Sequence, residues 1–180
     1  MIKRIRIIET PRMFMREMNT DDALSFFQLN EDEEVMKYTG DKRFESENAS
    51  FDFLSKYPAY TYESCGFGRW TCISKNDNKV LGWSGIRKQD DGMIDLGYRL
   101  HQEFWNQGFG TESAIASLKV AFEIYHLPWI YARANQQNTA SIRVMQKVGM
   151  NHWKSDSQDH FYRIFRNEFF ASEEVSISLQ

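Results

Sequence analysis

Three features of this chain predict a mixed α/β (α+β) fold around one central sheet that is antiparallel over most of its width. Three apolar runs between residues 69 and 100 are separated by Asn- and Asp-Gly-rich turn segments, which is the signal of an antiparallel meander. Two later stretches, 111–126 and 138–148, carry apolar residues at helical spacing. Between them Trp129-Ile-Tyr-Ala-Arg-Ala134 has the continuous apolar character of a buried strand. Strands followed by strand–helix–strand units place helices against a single mixed sheet.

The elements follow in order. Ile5 to Met18 mixes β-branched and long apolar residues around Thr10-Pro11, and is expected to form one or two strands. Asn19-Thr20-Asp21-Asp22 supplies helix-capping residues with acids in the first turn, ahead of a short helix through Ala23, Leu24, Phe26, Phe27 and Leu29. A second helix is expected from Ser46 to about Tyr57, ending near Pro58. The meander comprises strands at Arg69–Ser74, Val80–Arg87 and Met93–Leu100. A long helix from Thr111 to about His126 is stopped by Leu127-Pro128. The helix from Asn138 to Val148 is closed by Gly149, a residue suited to the left-handed position after a helix. Asn151–Lys154 and His160–Arg166 read as a final pair of strands.

With 180 residues, no repeat and no Pro/Ser/Gly-rich linker, a single domain over 1–180 is expected, large enough to bury roughly 70% of its extended-chain surface. The 22 Lys+Arg against 25 Asp+Glu give a net charge of −3, which supplies no electrostatic reason to expect nucleic acid or an anionic membrane as partner. No apolar run approaches the length of a membrane helix, and Met1 to Glu9 alternates charged and aliphatic residues without the apolar centre of a secretory signal. Two cysteines, Cys65 and Cys72, are too few for a disulfide scaffold, so a reducing cytoplasm is the expected location. His101, His126, His152 and His160 show no i,i+4 pairing, and no metal site is expected.

The strongest chemical signal is Trp105-Asn-Gln-Gly108-Phe-Gly110-Thr-Glu-Ser113, between a strand and a long helix. Glycines there let the backbone approach a ligand, and the first N–H groups of the helix lack intrahelical partners, so a phosphate can be held without a basic side chain. A plain tight turn explains the same glycines, and Glu112 is equally an ordinary first-turn acid. The dinucleotide fingerprint is a poor fit. The segment follows antiparallel hairpins, and no acid stands about 20 residues on, where Pro128 to Arg133 lies. No Gly-Lys-Ser/Thr follows, which excludes a P-loop.

Leu96-Gly-Tyr-Arg-Leu100, Trp105-Asn-Gln-Gly-Phe-Gly-Thr-Glu112, Arg133-Ala-Asn-x-x-Asn138-x-x-Ser141 and Val148-Gly-Met150 together resemble the GNAT superfamily of N-acetyltransferases. More narrowly the chain resembles the RimJ/RimL-type branch, through Glu9-Thr-Pro-Arg-Met-Phe-Met-Arg16 and Gln158-Asp-His160 as well; the likeness spans about Ile8 to Arg166. There are two departures. Trp105 stands where the superfamily usually begins its acetyl-CoA loop with Gln or Arg, as is common in that branch. The helix that often carries a Tyr general acid reads Arg143-Val-Met145-Gln-Lys here.

The resemblance implies an acetyl-CoA-dependent N-acetyltransferase acting on a primary amine, either a small molecule or a protein N-terminus, by direct attack in a ternary complex. It implies that the pyrophosphate rests on backbone N–H groups of Gln107, Gly108, Phe109, Gly110 and Thr111. The pantetheine arm would lie beside the strand through Leu96, Tyr98 and Leu100, where a backbone N–H supports the carbonyl oxygen as charge develops. Asn138 would contact the arm, although an N-cap role explains an Asn there equally well. Asp95 is nominated as general base and Ser141 as the donor to the departing thiolate. The readings as a surface strand carboxylate and an ordinary helix serine stand beside these. A bulge in the Asp95 strand is expected. Glu31 and Glu34, in the segment between the first two helices, are expected to attract a cationic amine, or else to form a solvated charged turn. Family members are often homodimers. The rivals are a non-catalytic acyl-CoA sensor on the same fold, suggested by the missing Tyr, and a nucleotide-binding oxidoreductase.

Overall fold

The alternating apolar pattern at the start of the chain folds as a hairpin of β1 (Ile7–Glu9) and β2 (Met13–Glu17), which places Ile8, Met13 and Met15 in the interior. This computed structural model describes residues 4–171 and 178–179. The meander forms as predicted, as β3 (Arg69–Ser74), β4 (Val80–Lys88) and β5 (Ile94–Leu100). β6 (Trp129–Asn135), β7 (Asn151–Ser155) and β8 (Asp159–Phe165) complete the other side, and a two-residue β9 (Ser178–Leu179) pairs with β1. The sheet order is β7-β8-β6-β5-β4-β3-β2-β1-β9, and every neighbouring pair is antiparallel except β5 with β6.

The capping residues act as the sequence indicates. Asn19 Oδ1 accepts from Asp21 N–H, and the Asp22 carboxylate returns to Asn19 N–H at the start of a 3-10 turn, Thr20–Asp22. Buried Asp22 is paired with Arg16 and also accepts from Thr71 Oγ1, which ties this turn to β2 and β3. α1 (Ala23–Glu31) follows and buries Ala23, Phe26 and Leu29. Asp32 caps a further short helix, α2 (Glu33–Met36), that the sequence did not signal.

Two helices depart from their expected bounds. α3 (Glu47–Tyr60) is capped by Ser46 and carries Pro58 in its last turn. The Thr61 hydroxyl donates to Tyr57 O and the Ser64 hydroxyl to Tyr60 O, so side chains serve carbonyls near the helix end and the chain continues into α4 (Tyr62–Cys65). α5 (Phe109–Lys119) begins two residues before Thr111, because Gly108 takes up the turn. It continues as a wider π-helical turn, Val120–Ile124, rather than as α-helix to His126. His126, at the expected end of that helix, is an exposed residue with φ 51°. α6 (Thr139–Lys147) matches its expected position, and α7 (Arg166–Ala171) begins where β8 ends, one residue before its expected limit.

Trp70, Leu81, Ile86, Leu118, Phe122 and Ile130 are fully buried between sheet and helices, each removal from water contributing roughly 1.5–3 kcal/mol. The β4–β5 register is one-to-one from Gly82↔Leu100 to Lys88↔Ile94, so the bulge expected in β5 is not there. Bulges lie instead at Cys72/Ile73 and His152/Lys154. The unbroken pleat sorts β5 into two sets: Leu96, Tyr98 and Leu100 on the side of α5 and α6, and Asp95, Gly97 and Arg99 on the side of α1–α3.

β5 and β6 are joined by one register pair, Asp95↔Tyr131. Beyond it the two parallel strands run on without pairing, so the edge of β5 from Leu96 to Leu100 faces a cleft rather than a neighbouring strand. Among the described residues no helix is long and apolar enough to cross a membrane.

Candidate active site

The cleft opens toward the glycine segment. Gly108 has φ 85° and ψ −5°, a left-handed conformation that a side chain disfavours, and it leads directly into α5. The first intrahelical bond runs from Glu112 N–H to Gly108 O at 3.0 Å, so the N–H groups of Phe109, Gly110 and Thr111 precede the helix ladder. Gly108 offers no capping side chain. A Cβ added at Gly110 would make only ordinary contacts, to Val144 and Leu100, so that glycine is not forced by crowding. The result is a concave end of α5 with donor groups and the positive end of the helix dipole.

Two side chains brace this turn. Glu112 accepts from Thr10 Oγ1 at 2.6 Å, from Arg12 N–H at 3.0 Å and from Arg12 Nε at 2.6 Å. Arg12 Nη1 also donates to Gln107 O at 2.8 Å, and its guanidinium lies 4.4 Å from the centre of the Phe109 ring. Glu112 is therefore the tie between the β1–β2 turn and α5. Arg12, which the sequence singled out only within a longer motif, adds a cation at the loop. Trp105 donates from Nε1 to Leu100 O at 2.7 Å, fixing the path from β5 into the turn.

Across the cleft, Tyr98 of β5 reaches Ser141 of α6. The Tyr98 hydroxyl donates to Ser141 O at 2.9 Å and lies 3.0 Å from Ser141 Oγ. Burial pushes the Tyr98 phenol well above its usual range, so it stays a neutral donor at physiological pH. Asn138 does cap α6, its Oδ1 accepting from Ser141 N–H at 3.1 Å. Asn138, Ser141 and Tyr98 thus form one connected group, of which the Tyr98 side-chain role was not legible in the sequence.

The opposite face of β5 differs in character. Asp95, the expected base, sits at the closed end of the cleft with both carboxylate oxygens engaged: Oδ2 accepts from Arg69 Nη2 and Oδ1 from Gln89 Nε2, each at 2.7 Å. Arg69 is buried, and also donates to Asp95 O and Gly85 O. Its guanidinium fills the space above the in-register pair Gly85↔Gly97, where a Cβ on Gly97 would come within 2.6 Å of it. Asp95, read from the sequence as the base, is here the counter-charge of a buried arginine.

Trp83 lies between two guanidiniums, Arg69 at 5.4 Å and Arg99 at 5.3 Å from its ring centre. Arg99 bonds to Asp41, from the connection between α2 and α3. His101, just past β5, has its Nε2 2.9 Å from Ser25 Oγ on α1. Burial lowers its pKa from the ordinary value of 6.5, against the opposing charges of Glu103 and Asp32, which favours the neutral imidazole.

Between Glu31 and Glu34, Asp32 accepts from Gln102 Nε2 at 2.7 Å, just past β5. Both glutamates are exposed, Glu31 at the end of α1 and Glu34 paired with Lys37 on α2. Met36 and Asp41 are the residues from this part of the chain that meet β5. His160 bonds through Nδ1 to Ser155 Oγ, which also meets His152 Nε2, within the β7–β8 hairpin.

Residues 12–151 match the family described as the acetyltransferase (GNAT) domain. The chain is 27% identical over 145 residues to the uncharacterized N-acetyltransferase YoaA of Bacillus subtilis strain 168, covering 79% of this chain and 81% of that one. It is also 27% identical over 141 residues to the uncharacterized N-acetyltransferase p20 of Bacillus licheniformis, covering 77% and 79%. Among solved structures, the GNAT-family acetyltransferase of Bacillus anthracis superposes with a TM-score of 0.77 at 24% identity, over 90% of this chain and 99% of that chain. The family match runs from Arg12 through β2, the glycine segment, the divided strands and Ser141, and on it the chain belongs to the GNAT acetyltransferases.

Proposed function

We propose that this acetyltransferase uses acetyl-CoA to acetylate a primary amine, by direct attack within a ternary complex. The observation that carries the reading is the junction of two features: a parallel strand pair joined at one position, and an uncapped helix N-terminus at the glycine turn beside it. The unpaired edge from Leu96 to Leu100 suits an extended arm with amide groups, and the N–H groups of Phe109, Gly110 and Thr111, with Arg12 nearby, suit a pyrophosphate. Acetyl-CoA, when bound, supplies an activated acetyl thioester.

The chain's own groups then have distinct tasks. A backbone N–H on the open edge of β5 stabilises the carbonyl oxygen as negative charge develops on it. Ser141 Oγ–H serves as the donor to the leaving sulfur, and Tyr98, whose one hydroxyl proton goes to Ser141 O, holds Ser141 in place. A thiol near pKa 8.5 is a stronger acid than a serine hydroxyl, so Ser141 serves the departing thiolate by hydrogen bonding and need not give up its proton. Ser141, so held, supplies a donor from a helix that lacks the Tyr, which weighs against the non-catalytic sensor. Asn138 uses its Oδ1 to cap α6, leaving its amide N–H groups to meet the arm. The neutral His101 imidazole, on the α1 side with Ser25, replaces Asp95 as the group that receives the amine proton, directly or through water.

The RimJ/RimL-type motifs, with Trp105 at the head of the loop, favour that branch and with it a protein N-terminus or a small amine as acceptor. The test is calorimetric titration with acetyl-CoA and, separately, NAD, followed by thiol release over a panel of amines and N-terminal peptides. Acetyl-CoA binding with release on one amine class is expected. Failure to bind acetyl-CoA overturns the reading, and binding without release on any amine returns the sensor.

A further inference from the structure

The two arginines beside Trp83 are used very differently, and the difference points to the acceptor. Arg69 donates to Gly85 O, Asp95 O and Asp95 Oδ2, all fixed parts of the sheet. Arg99 stands on the same face of β5, with its side chain only 11% exposed. Its hydrogen bonds go to Met36 Sδ, a weak acceptor, at 3.4 Å and to a single carboxylate oxygen, Asp41 Oδ2, at 2.5 Å. That one carboxylate comes from a side chain 61% exposed, on the 37–45 connection, where Gly40 has φ 68° and no atom within 4 Å of a would-be Cβ. Asp41 can leave and be rehydrated at little cost, whereas Arg99 would remain beside Trp83 with its charge uncompensated.

We propose that Arg99 is the binding group for a carboxylate on the acceptor, and that Asp41 occupies its place until the acceptor arrives. The acceptor is then an amine that also bears a carboxylate. A planar guanidinium with unused donors accepts such a group in two parallel hydrogen bonds, where Asp41 now supplies one oxygen. The arginine lies on β5 itself, opposite the Tyr98 side, so an acceptor anchored there meets the open strand from the face of α1–α3. This rests on the reading of the cleft as the place of acetyl transfer, and it replaces Glu31 and Glu34 as the source of acceptor selection.

The test measures thiol release from acetyl-CoA with matched pairs: α-amino acids against their carboxamides, and tripeptides with Asp against Asn at the second position. The expected acid-to-amide ratio in kcat/KM is at least about tenfold in one of the two sets, as for a charge-assisted hydrogen bond. The set that shows it separates a main-chain carboxylate from an acidic side chain. Arg99→Gln should bring the ratio close to one. Asp41→Asn, which keeps the fold of the sheet, should lower KM for the acid by about threefold or more, since it removes the competing carboxylate. A ratio near one in the wild type for both sets, or an Asp41→Asn variant with unchanged KM for the acid, overturns the proposal while leaving acetyl transfer intact. Absence of release with every amine, despite acetyl-CoA binding, is distinguishable from this and overturns the catalytic reading and the acceptor proposal together.

Discussion

The Tyr98 hydroxyl, carried on β5, lies 2.9 Å from the backbone carbonyl and 3.0 Å from the side-chain oxygen of Ser141 on α6, and so joins the two sides of the divided sheet. A strand residue thereby brings a phenol to a helix whose own residues at 143–147 hold none. The pairing also explains why Ser141, only half-buried, is held in one position: Asn138 secures its N–H and Tyr98 its carbonyl.

Tyr98→Phe removes the donor to Ser141 while keeping the ring that fills the wall of the cleft. The expected result is a fall in kcat of about tenfold, the worth of the hydrogen bond that holds Ser141 in place, with acetyl-CoA affinity changed little. Steady-state kinetics beside calorimetry check this. If the two residues act as a pair, Ser141→Ala in the Tyr98→Phe background costs less than it does alone.

Gly108→Val introduces a β-branched side chain at φ 85°, and its Cβ would lie 3.1 Å from Arg12 Nη2. Strain of roughly 1–2 kcal/mol and an obstructed loop should lower acetyl-CoA affinity by tenfold or more. Calorimetric Kd is the measurement, and an unchanged value removes this turn from the cofactor site.

Asp95→Ala leaves Arg69 buried without its counter-charge, and a loss of about 3 kcal/mol in unfolding free energy is expected by denaturant titration. The milder Asp95→Asn keeps an oxygen for Arg69. Its pH–rate profile should coincide in shape with the wild type, since Asp95 carries the sheet and not the proton. A lost acidic limb would restore it as the base.

His101 makes stability depend on pH in a definite direction. Its folded pKa lies below 6.5 because burial disfavours the imidazolium, so the unfolded chain binds the proton more readily. The contribution is fully present above 6.5 and is lost as pH falls from there through the folded value. Thermal unfolding between pH 7.5 and 5 should show a steeper fall in Tm for the wild type than for His101→Gln. Equal slopes would place the titrating group elsewhere.

Much of the fold was legible because it is local. The Asp-Gly92 turn and the alternation around it specify a hairpin wherever they occur, and Asn19, Ser46 and Asn138 cap the helices that follow them. The errors have local causes too. Pro58 was read as a stop, yet it sits in a last turn whose nearby carbonyls are served by the hydroxyls of Thr61 and Ser64. The α5 start was placed two residues late because Gly108, in its left-handed conformation, absorbs a turn that two or three residues share in other settings.

By itself the sequence determined the order of the principal strands and helices, the glycine turn and the family to which the chain belongs, since each depends on residues a few positions apart. Only the tertiary structure decided what the charged side chains do. Asp95 and Arg69 are 26 positions apart and Arg99 and Asp41 are 58 apart, so neither pairing leaves a periodic mark on the chain. A carboxylate on a strand looks the same in sequence whether it faces a substrate or a buried guanidinium. Which of the two it meets depends on where the sheet brings distant side chains together, and there the Gly85↔Gly97 pair opens the space that Arg69 occupies.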